Sequence, residues 1–408
     1  MKFAWNESSR QTQTDLGGSR AMLHYWNCQG KAGIPDMQED LRTLSINVLA
    51  ATAFLKPYDF IGSTDLRNRE SSTESYRDCL HVVLKYAIFL MLVPYRFLTG
   101  AMLPHSLASI GRAAMSLKGF MMNIITEESA ALSKGKPVSG GLITSLVRAL
   151  DQKTPQQPDP GDFIRETKRS GLSVDEILGN IFVINIAGHD TTANTLVFTM
   201  MLLAANPEVQ GWLHEEIITV TQGKPIGDWD YALFEQLKRC QAVFLETLRL
   251  YAPITGLPKI TSRGVQILHI GDRPLAIPPG TEIFPLLLGI QTDPSYWVDP
   301  YVWRPSRWIL HPKDAPEVRE ELFVPQKGTF FPWSEGPQNC VGKKFSQVEA
   351  VAVLACLFRD HRVCIKTRAG ETEEHAKRRA QDCVNDVNYQ LLLKMNHPDR
   401  VKLECMKV

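Results

Sequence analysis

Between Ser173 and Asn206 the chain reads as one long helix with almost no face to show to water. Ser173 and Glu176 stand at capping-box spacing, where the serine oxygen accepts from the N–H at the third helical position and the glutamate reaches back. From Ile177 through Leu203 the residues are apolar nearly all round. A helix of about thirty residues with that character belongs across the interior of a large domain. A membrane span is the rival reading, but His189, Asp190, Thr191 and Thr192 near the middle make burial in hydrocarbon expensive. Asn206-Pro207-Glu208 then offers a cap, a first-turn proline and an acid, which predict a new helix start.

Around that rod the pattern is mostly helical. Apolar residues recur at helical spacing from Met37 to Leu55, His105 to Leu132 predicts one or two further helices, and Phe234 to Leu250 predicts an amphipathic one. After Pro253 the texture changes to short strand-like runs, Val265 to Ile270 and Thr281 to Phe284, punctuated by Gly271 and Pro278-Pro279-Gly280. Leu391 to Met395 and Val401 to Cys405, flanking Asn396-His-Pro-Asp-Arg400, predict a β-hairpin. Lys134 to Val138 and Asp151 to Gly161 read as exposed connections. The expected fold class is mainly α with small β-sheets. Although 408 residues suffice for two or three domains, a single domain over 1–408 is expected, with no internal repeat.

Charge and cysteine usage exclude several function classes. A net charge of +1 leaves no basic excess to neutralise phosphates, so no nucleic-acid partner is expected. Eight cysteines are scattered without a Cys-x-x-Cys pair or a zinc-like grouping with histidine, which argues against a disulfide scaffold or a zinc module. The first ten residues hold no apolar run of signal-peptide length, and a reducing compartment is expected. Val82 to Val93, the most hydrophobic run, is interrupted by Lys85 and falls short of the ~20 residues of a span. Its expected membrane role is peripheral contact.

Three local patterns carry chemistry. The first, Ala187-Gly188-His189-Asp190-Thr191-Thr192, breaks helix rules inside the long helix, since an interior glycine costs up to ~1 kcal/mol against alanine. Such a break in an otherwise consistent helix points to a site. A polar kink with satisfied hydroxyls is the plain alternative. The second is Glu246-Thr-Leu-Arg249, a carboxylate and a guanidinium one turn apart within an apolar helix. The same spacing recurs at Glu7/Arg10, Glu39/Arg42, Glu74/Arg77 and Glu166/Arg169, and most such pairs are solvated and worth ~0.5 kcal/mol or less. The third is Gly336-x-x-x-Cys340-x-Gly342. Two glycines beside a cysteine permit a tight loop that presents one sulfur to a flat group, whereas most free cysteines are buried and inert.

Taken in order, these motifs resemble the cytochrome P-450 family from about Asp40 to the end of the chain. Asp190-Thr191-Thr192 and the Gly-Lys-Lys-Phe-Ser-Gln-Val-Glu that ends at Glu349 are similar to fungal members. The resemblance implies the cytochrome P-450 fold and haem b (iron-protoporphyrin IX), with Cys340 as thiolate ligand of the iron and Gly336 and Gly342 shaping the loop. It implies that Gly188 makes room over the cofactor, and that Asp190 and Thr191 deliver protons. Glu246, Arg249 and Arg307, the last from Trp303-Arg-Pro-Ser-Arg307-Trp308, would form a structural Glu-Arg-Arg triad. Electrons would come from NADPH through NADPH–cytochrome P-450 reductase, with Lys343 and Lys344 near the docking face or simply solvated. The implied setting is the cytosolic side of the endoplasmic reticulum membrane.

Departures are also plain. Trp333 stands where the family usually has phenylalanine, and Gln338 where a cation commonly pairs with a haem propionate. Lys259 occupies a place where arginine often serves that purpose. The anchor, the first sheet and a helix carrying Trp-x-x-x-Arg have no counterpart in the sequence, so an N-terminally incomplete member is expected. The expected activity is monooxygenation of a lipophilic small molecule, in fungal secondary-metabolite biosynthesis. The alternatives are a haem-thiolate isomerase or dehydratase, which would not need Asp190 and Thr191, and a truncated inactive relic. The wall candidates Asn185, Thr255-Gly256-Leu257 and Met395 to His397 do not identify a substrate.

Overall fold

The computed structural model describes residues 9–54, 56–67, 76–98, 100, 103–135, 141–150, 171–262, 264–311, 320–389 and 392–408. Their contacts divide into two compact units, one built from residues 1–14 and 43–190 and the other from 15–42 and 191–408. Three helices contribute to both: α1 (Ser9–Gln29), α2 (Met37–Ala53) and α8 (Val174–Ala205). Most of the exposed connection expected at 134–138, all of that at 151–161, and the pairs Glu7/Arg10, Glu74/Arg77 and Glu166/Arg169 in whole or part, lie outside the described residues.

The first unit holds α3 (Ser63–Arg67), α4 (Tyr76–Lys85), α5 (Ala87–Leu92), α6 (His105–Ser133) and α7 (Leu142–Arg148) together with parts of α2 and α8, and α6 packs against α4 and α7. The expected capping box forms: the Ser173 N–H donates to Glu176 Oε2 at 2.7 Å, and the Glu176 N–H donates to Ser173 Oγ at 3.2 Å. Residues 105–132 form one helix rather than two. Gly111 lets the turn Tyr95–Leu98 pack closely across this helix, because a Cβ there would overlap the Leu98 carbonyl. The apolar run at 82–93 breaks at Tyr86 into α4 and α5, and Leu92 is 79% exposed. No helix among the described residues is long and apolar enough to cross a membrane.

The second unit holds α9 (Pro207–Thr221), α10 (Tyr231–Gln236), α11 (Lys238–Leu250), α12 (Leu287–Gln291), α13 (Lys343–Phe358) and α14 (Glu373–Asn385). Its strands form antiparallel pairs: β1 (Lys259–Ile260) with β4 (Glu282–Ile283), β2 (Gln266–Ile270) with β3 (Arg273–Ile277), and β5 (Ile309–Leu310) with β6 (Glu321–Leu322). Likewise β7 (His361–Ile365) pairs with β10 (Leu403–Lys407), and β8 (Val387–Tyr389) with β9 (Leu393–Met395). Mainly helical with small sheets, this matches the expected class. Pro274 hides β3 in the sequence, yet it pairs with β2 around Gly271, whose φ of +58° suits the turn.

Three sequence expectations need correction here. The 234–250 helix breaks at Leu237, whose ψ of 68° leaves the helical range. The first N–H groups of α11, from Arg239 and Cys240, donate to the Glu216 carboxylate of α9 at 2.7 and 3.1 Å. A distant acceptor thus opens the second helix, which no local pattern could announce. The C-terminal hairpin does not form: β9 and β10 take β8 and β7 as partners, because each run buries its side chains against a different neighbour. Asn206 does not cap α9, since its Nδ2 donates backward to the Leu202 carbonyl at 2.8 Å. Pro207 still opens α9 at its first position.

Candidate active site

The Cys340 loop is set by backbone turns. The Ser334 N–H donates to the Phe331 carbonyl at 2.9 Å, Asn339 to Gly336 at 3.3 Å, and Cys340 to Trp333 at 2.8 Å. Ser334 at φ +62° and Gly336 at φ +91° take the left-handed conformations these reversals require. At Gly336 the glycine is needed for its angle. Gly342, by contrast, has an ordinary φ of −89°, and a Cβ there would lie at normal contact distance, 3.8 Å, from the Cys340 sulfur. Trp333 anchors the loop by donating from Nε1 to Ser346 Oγ at 3.0 Å, and Lys343 lies over its ring at 5.5 Å. Lys344 stacks over Phe234 at 4.1 Å, so both lysines have aromatic neighbours as well as solvent.

Cys340 is exposed, whereas Cys79, Cys240, Cys356, Cys383 and Cys405 are buried and Cys364 is half-buried. Exposed Cys28 sits on α1 with its sulfur 3.8 Å from His24 Nε2. Partial desolvation pushes the Cys340 thiol up, and the Gly342 N–H opposes that shift. The sixteen-residue α13 begins three residues later, and a helix N-terminus favours a thiolate. An exposed, turn-presented sulfur with N–H groups beside it fits the donor that haem iron requires in a thiolate site.

The same unit holds a densely bonded buried charge pair. Glu246 and Arg249 are both fully buried. Arg249 donates from Nε to Glu246 Oε2 and from Nη2 to Oε1, each at 2.9 Å, and Arg307 donates from Nε to Oε1 at 2.9 Å. The structure therefore brings together all three members of the expected triad. Two further donors complete the carboxylate, the Arg304 backbone N–H and Trp308 Nε1, again at 2.9 Å each. Arg249 spends its remaining donors on the carbonyls of Gln291, Pro300 and Val302, and lies 5.1 Å from the Trp297 ring centroid. Such saturation is what a buried ion pair needs to avoid being a net cost.

Gln291 is the link to the loop. Its Nε2 donates to the carbonyls of Leu248 and Arg249, and its Oε1 accepts from the Phe331 N–H at 3.2 Å. Aromatic packing runs the same way, from Trp297 and Trp308 through Phe330 to Trp333. Sequence reasoning missed Gln291, Trp308 and the Arg304 N–H. Only Trp308 left a signal, as the aromatic next to Arg307.

At the centre of α8, Gly188 has Leu49 of α2 beside it: a Cβ there would stand 3.1 Å from Leu49 Cδ2. The space expected over the cofactor is, within this unit, bordered by a leucine. His189 is buried with Nδ1 2.8 Å from the Asn185 carbonyl. Asp190 and Thr191 are half-buried, and the Thr191 carbonyl accepts from Thr195 Oγ1 at 2.9 Å, a back-bond that bends helices. Asn185 accepts from the Tyr76 hydroxyl at 3.3 Å, and burial pushes that phenol well up. Lys259 is exposed in β1, paired with Ile283.

A sequence model of the cytochrome P-450 family matches residues 18–390. The chain belongs to the cytochrome P-450 family. Among its relatives, cytochrome P-450 monooxygenase 124 of Postia placenta is 32% identical over 75% of this chain and 55% of its own length. The phomenoic acid biosynthesis cluster cytochrome P-450 monooxygenase of Leptosphaeria maculans is 28% identical over 74% of this chain and 54% of its own. This cytochrome P-450 chain thus spans about half the length of these two relatives. A solved cytochrome P-450 crystal structure superposes with a TM-score of 0.66 over 99% of this chain and 79% of that one at 18% identity, which establishes the shared fold.

Proposed function

We propose that this cytochrome P-450 is a haem-thiolate monooxygenase that oxidises a lipophilic small molecule in fungal secondary metabolism. The observation that carries the reading is the exposed Cys340 sulfur on a loop turned at Ser334 and Gly336 and tied through Phe331 and Gln291 to the Glu246 cage. Bound haem would supply the oxygen activation that no side chain provides. Cys340 would ligate the iron through Sγ, and the Gly342 N–H would hold the thiolate. Lys259 would offer a propionate the positive charge that Gln338 lacks. The Asp190 carboxyl and Thr191 Oγ1 would hold and pass protons. Electrons would reach the protein from NADPH through its reductase, on the cytosolic side of the endoplasmic reticulum. The cluster membership named for the Leptosphaeria relative supports the secondary-metabolite setting.

The test is the carbon-monoxide difference spectrum of the reduced protein. Cys340→Ala and Cys340→His should lose the red-shifted band that thiolate ligation gives. An unchanged band in either variant rules out Cys340 as the ligand. Substrate turnover that needs no NADPH would instead favour an isomerase or dehydratase.

A further inference from the structure

Although the whole chain carries a net charge of only +1, one surface cavity of the second unit gathers four arginines and a histidine. α14 bears His375, Arg378, Arg379, Asp382 and Cys383 at spacings of three and four, so helix geometry sets all five on one face. With Arg368 and Arg400 they line a cavity of about 310 Å³. That volume is at the small end of the range for ligand pockets. The apolar packing of the helix rests on Ala376, Ala380, Cys383 and Val384, and of the cationic side chains it sets on this face only Arg379 is bonded to neighbouring segments among the described residues.

The guanidiniums differ in how firmly they are held. Arg379 is clamped by Glu371 through two bonds of 2.8 and 2.7 Å, and donates to the carbonyls of Arg400 and Lys366 at 3.1 Å each. Arg368 donates to the same Arg400 carbonyl at 3.2 Å, so two cations converge on one oxygen. Arg400 pairs with Asp386 at 3.2 Å. Arg378 has no hydrogen-bond or ion-pair partner among the described residues, and Arg368 has no carboxylate bonded to its guanidinium. The carboxylates nearby are Glu371, Asp382, Asp386 and Asp399, and of these Glu371 holds Arg379 and Asp386 holds Arg400, which leaves the guanidiniums of Arg368 and Arg378 without a bonded carboxylate among the described residues. Between them, Arg368 and Arg379 have one carboxylate, Glu371, and both guanidinium bonds to it come from Arg379.

We propose that this cavity binds a phosphate or polyphosphate anion, with Arg368 and Arg378 gripping it and Arg379 as a fixed wall. A guanidinium presents a planar fork of donors that matches two phosphate oxygens at once, which an ammonium cannot do. The Glu371 clamp orients Arg379 in advance, so little side-chain freedom is lost on binding. The chemistry is shared by free pyrophosphate and by phospholipid headgroups, and the site stands independently of the haem reading.

Calorimetric titration of the full chain with pyrophosphate at low ionic strength should show saturable binding that weakens with added salt. Arg378→Ala and Arg368→Ala should each weaken it at least about tenfold, the scale of one lost charge-assisted bond. Arg378→Lys, which keeps the charge and loses the fork, should bind detectably more weakly than the parent. Lys377→Ala removes the same charge from a neighbouring position outside the cavity lining and, compared with Arg378→Ala at about 0.15 M salt, where exposed charges are screened, should leave affinity within about twofold. Flotation with phosphatidylcholine vesicles containing a phosphoinositide separates the sources. Vesicle binding lost in Arg378→Ala and displaced by pyrophosphate identifies a headgroup, whereas pyrophosphate binding without flotation identifies a free anion. Absence of saturable binding to both probes, or a loss in Lys377→Ala equal to that in Arg378→Ala, overturns the site.

Discussion

Replacing Glu246 by alanine removes, in one step, the counter-charge of a fully buried arginine and the acceptor of five hydrogen bonds. Counted separately at ~1.5–3 kcal/mol per charged bond, these would total about 7.5–15 kcal/mol, as much as a whole domain's stability. They do not add. Arg249 keeps the carbonyls of Gln291, Pro300 and Val302, and the Arg307 side chain, 7% exposed, can move toward water. What cannot be relieved is the charge on Arg249, at 0% exposure. Leaving one buried partner uncompensated costs ~3–5 kcal/mol, which is the magnitude expected. Urea unfolding followed by tryptophan fluorescence reads it, since Trp297 and Trp308 stand beside the pair. Arg304→Ala is the comparison, because its side chain meets Asp299 at the surface and should matter by about 1 kcal/mol or less. If Glu246→Ala unfolds at the same urea concentration as Arg304→Ala, the cage is not what holds this region, and its proposed support of the Cys340 loop fails with it.

Burial pushes the Glu216 carboxyl up from 4.5 to about 7, against the Arg239 and Cys240 N–H groups and Arg239 itself, and with Glu320 adding to the rise. The folded state therefore binds more protons than the unfolded one between these values, so stability should fall as pH rises from 4.5 to about 7. Glu216→Gln should remove up to ~1.4 kcal/mol per pH unit of that slope, and an unaltered slope of urea midpoint against pH refutes the assignment. Gly111→Ala should destabilise by ~1–3 kcal/mol, because the new methyl meets the Leu98 backbone and not a yielding side chain; an unshifted thermal midpoint counts against the close approach. On the proposed proton role of Thr191, Thr191→Ala should raise peroxide released per NADPH consumed while product falls. Parent-level coupling would leave Thr191 as part of a bent helix.

Interactions that close within a few residues could be read directly from the amino-acid order. The Ser173/Glu176 capping box, the course of α8 to Asn206, the proline start of α9 and the Glu246–Arg249 spacing all span four residues or fewer, or repeat at helical period. So did the glycine pattern around Cys340, because Gly336 supplies a backbone angle that other residues rarely take. What the folded chain decided lies at long separation. Glu216 starts α11 from 23 residues away, Gln291 reaches Phe331 across 40, and Trp308 completes Glu246 across 62. Spacing alone marked Glu246 no differently from Glu39; its place between the α8 motif and the Cys340 loop singled it out, and only the folded chain showed that Glu246 is fully buried while Glu39 is half-buried. The strands at the C-terminus were visible as strands but not as pairs, since alternation records which faces are apolar and not which neighbour covers them. Local geometry is written in the order of residues; partners across tens of residues are chosen by what packing leaves desolvated and in need of a bond.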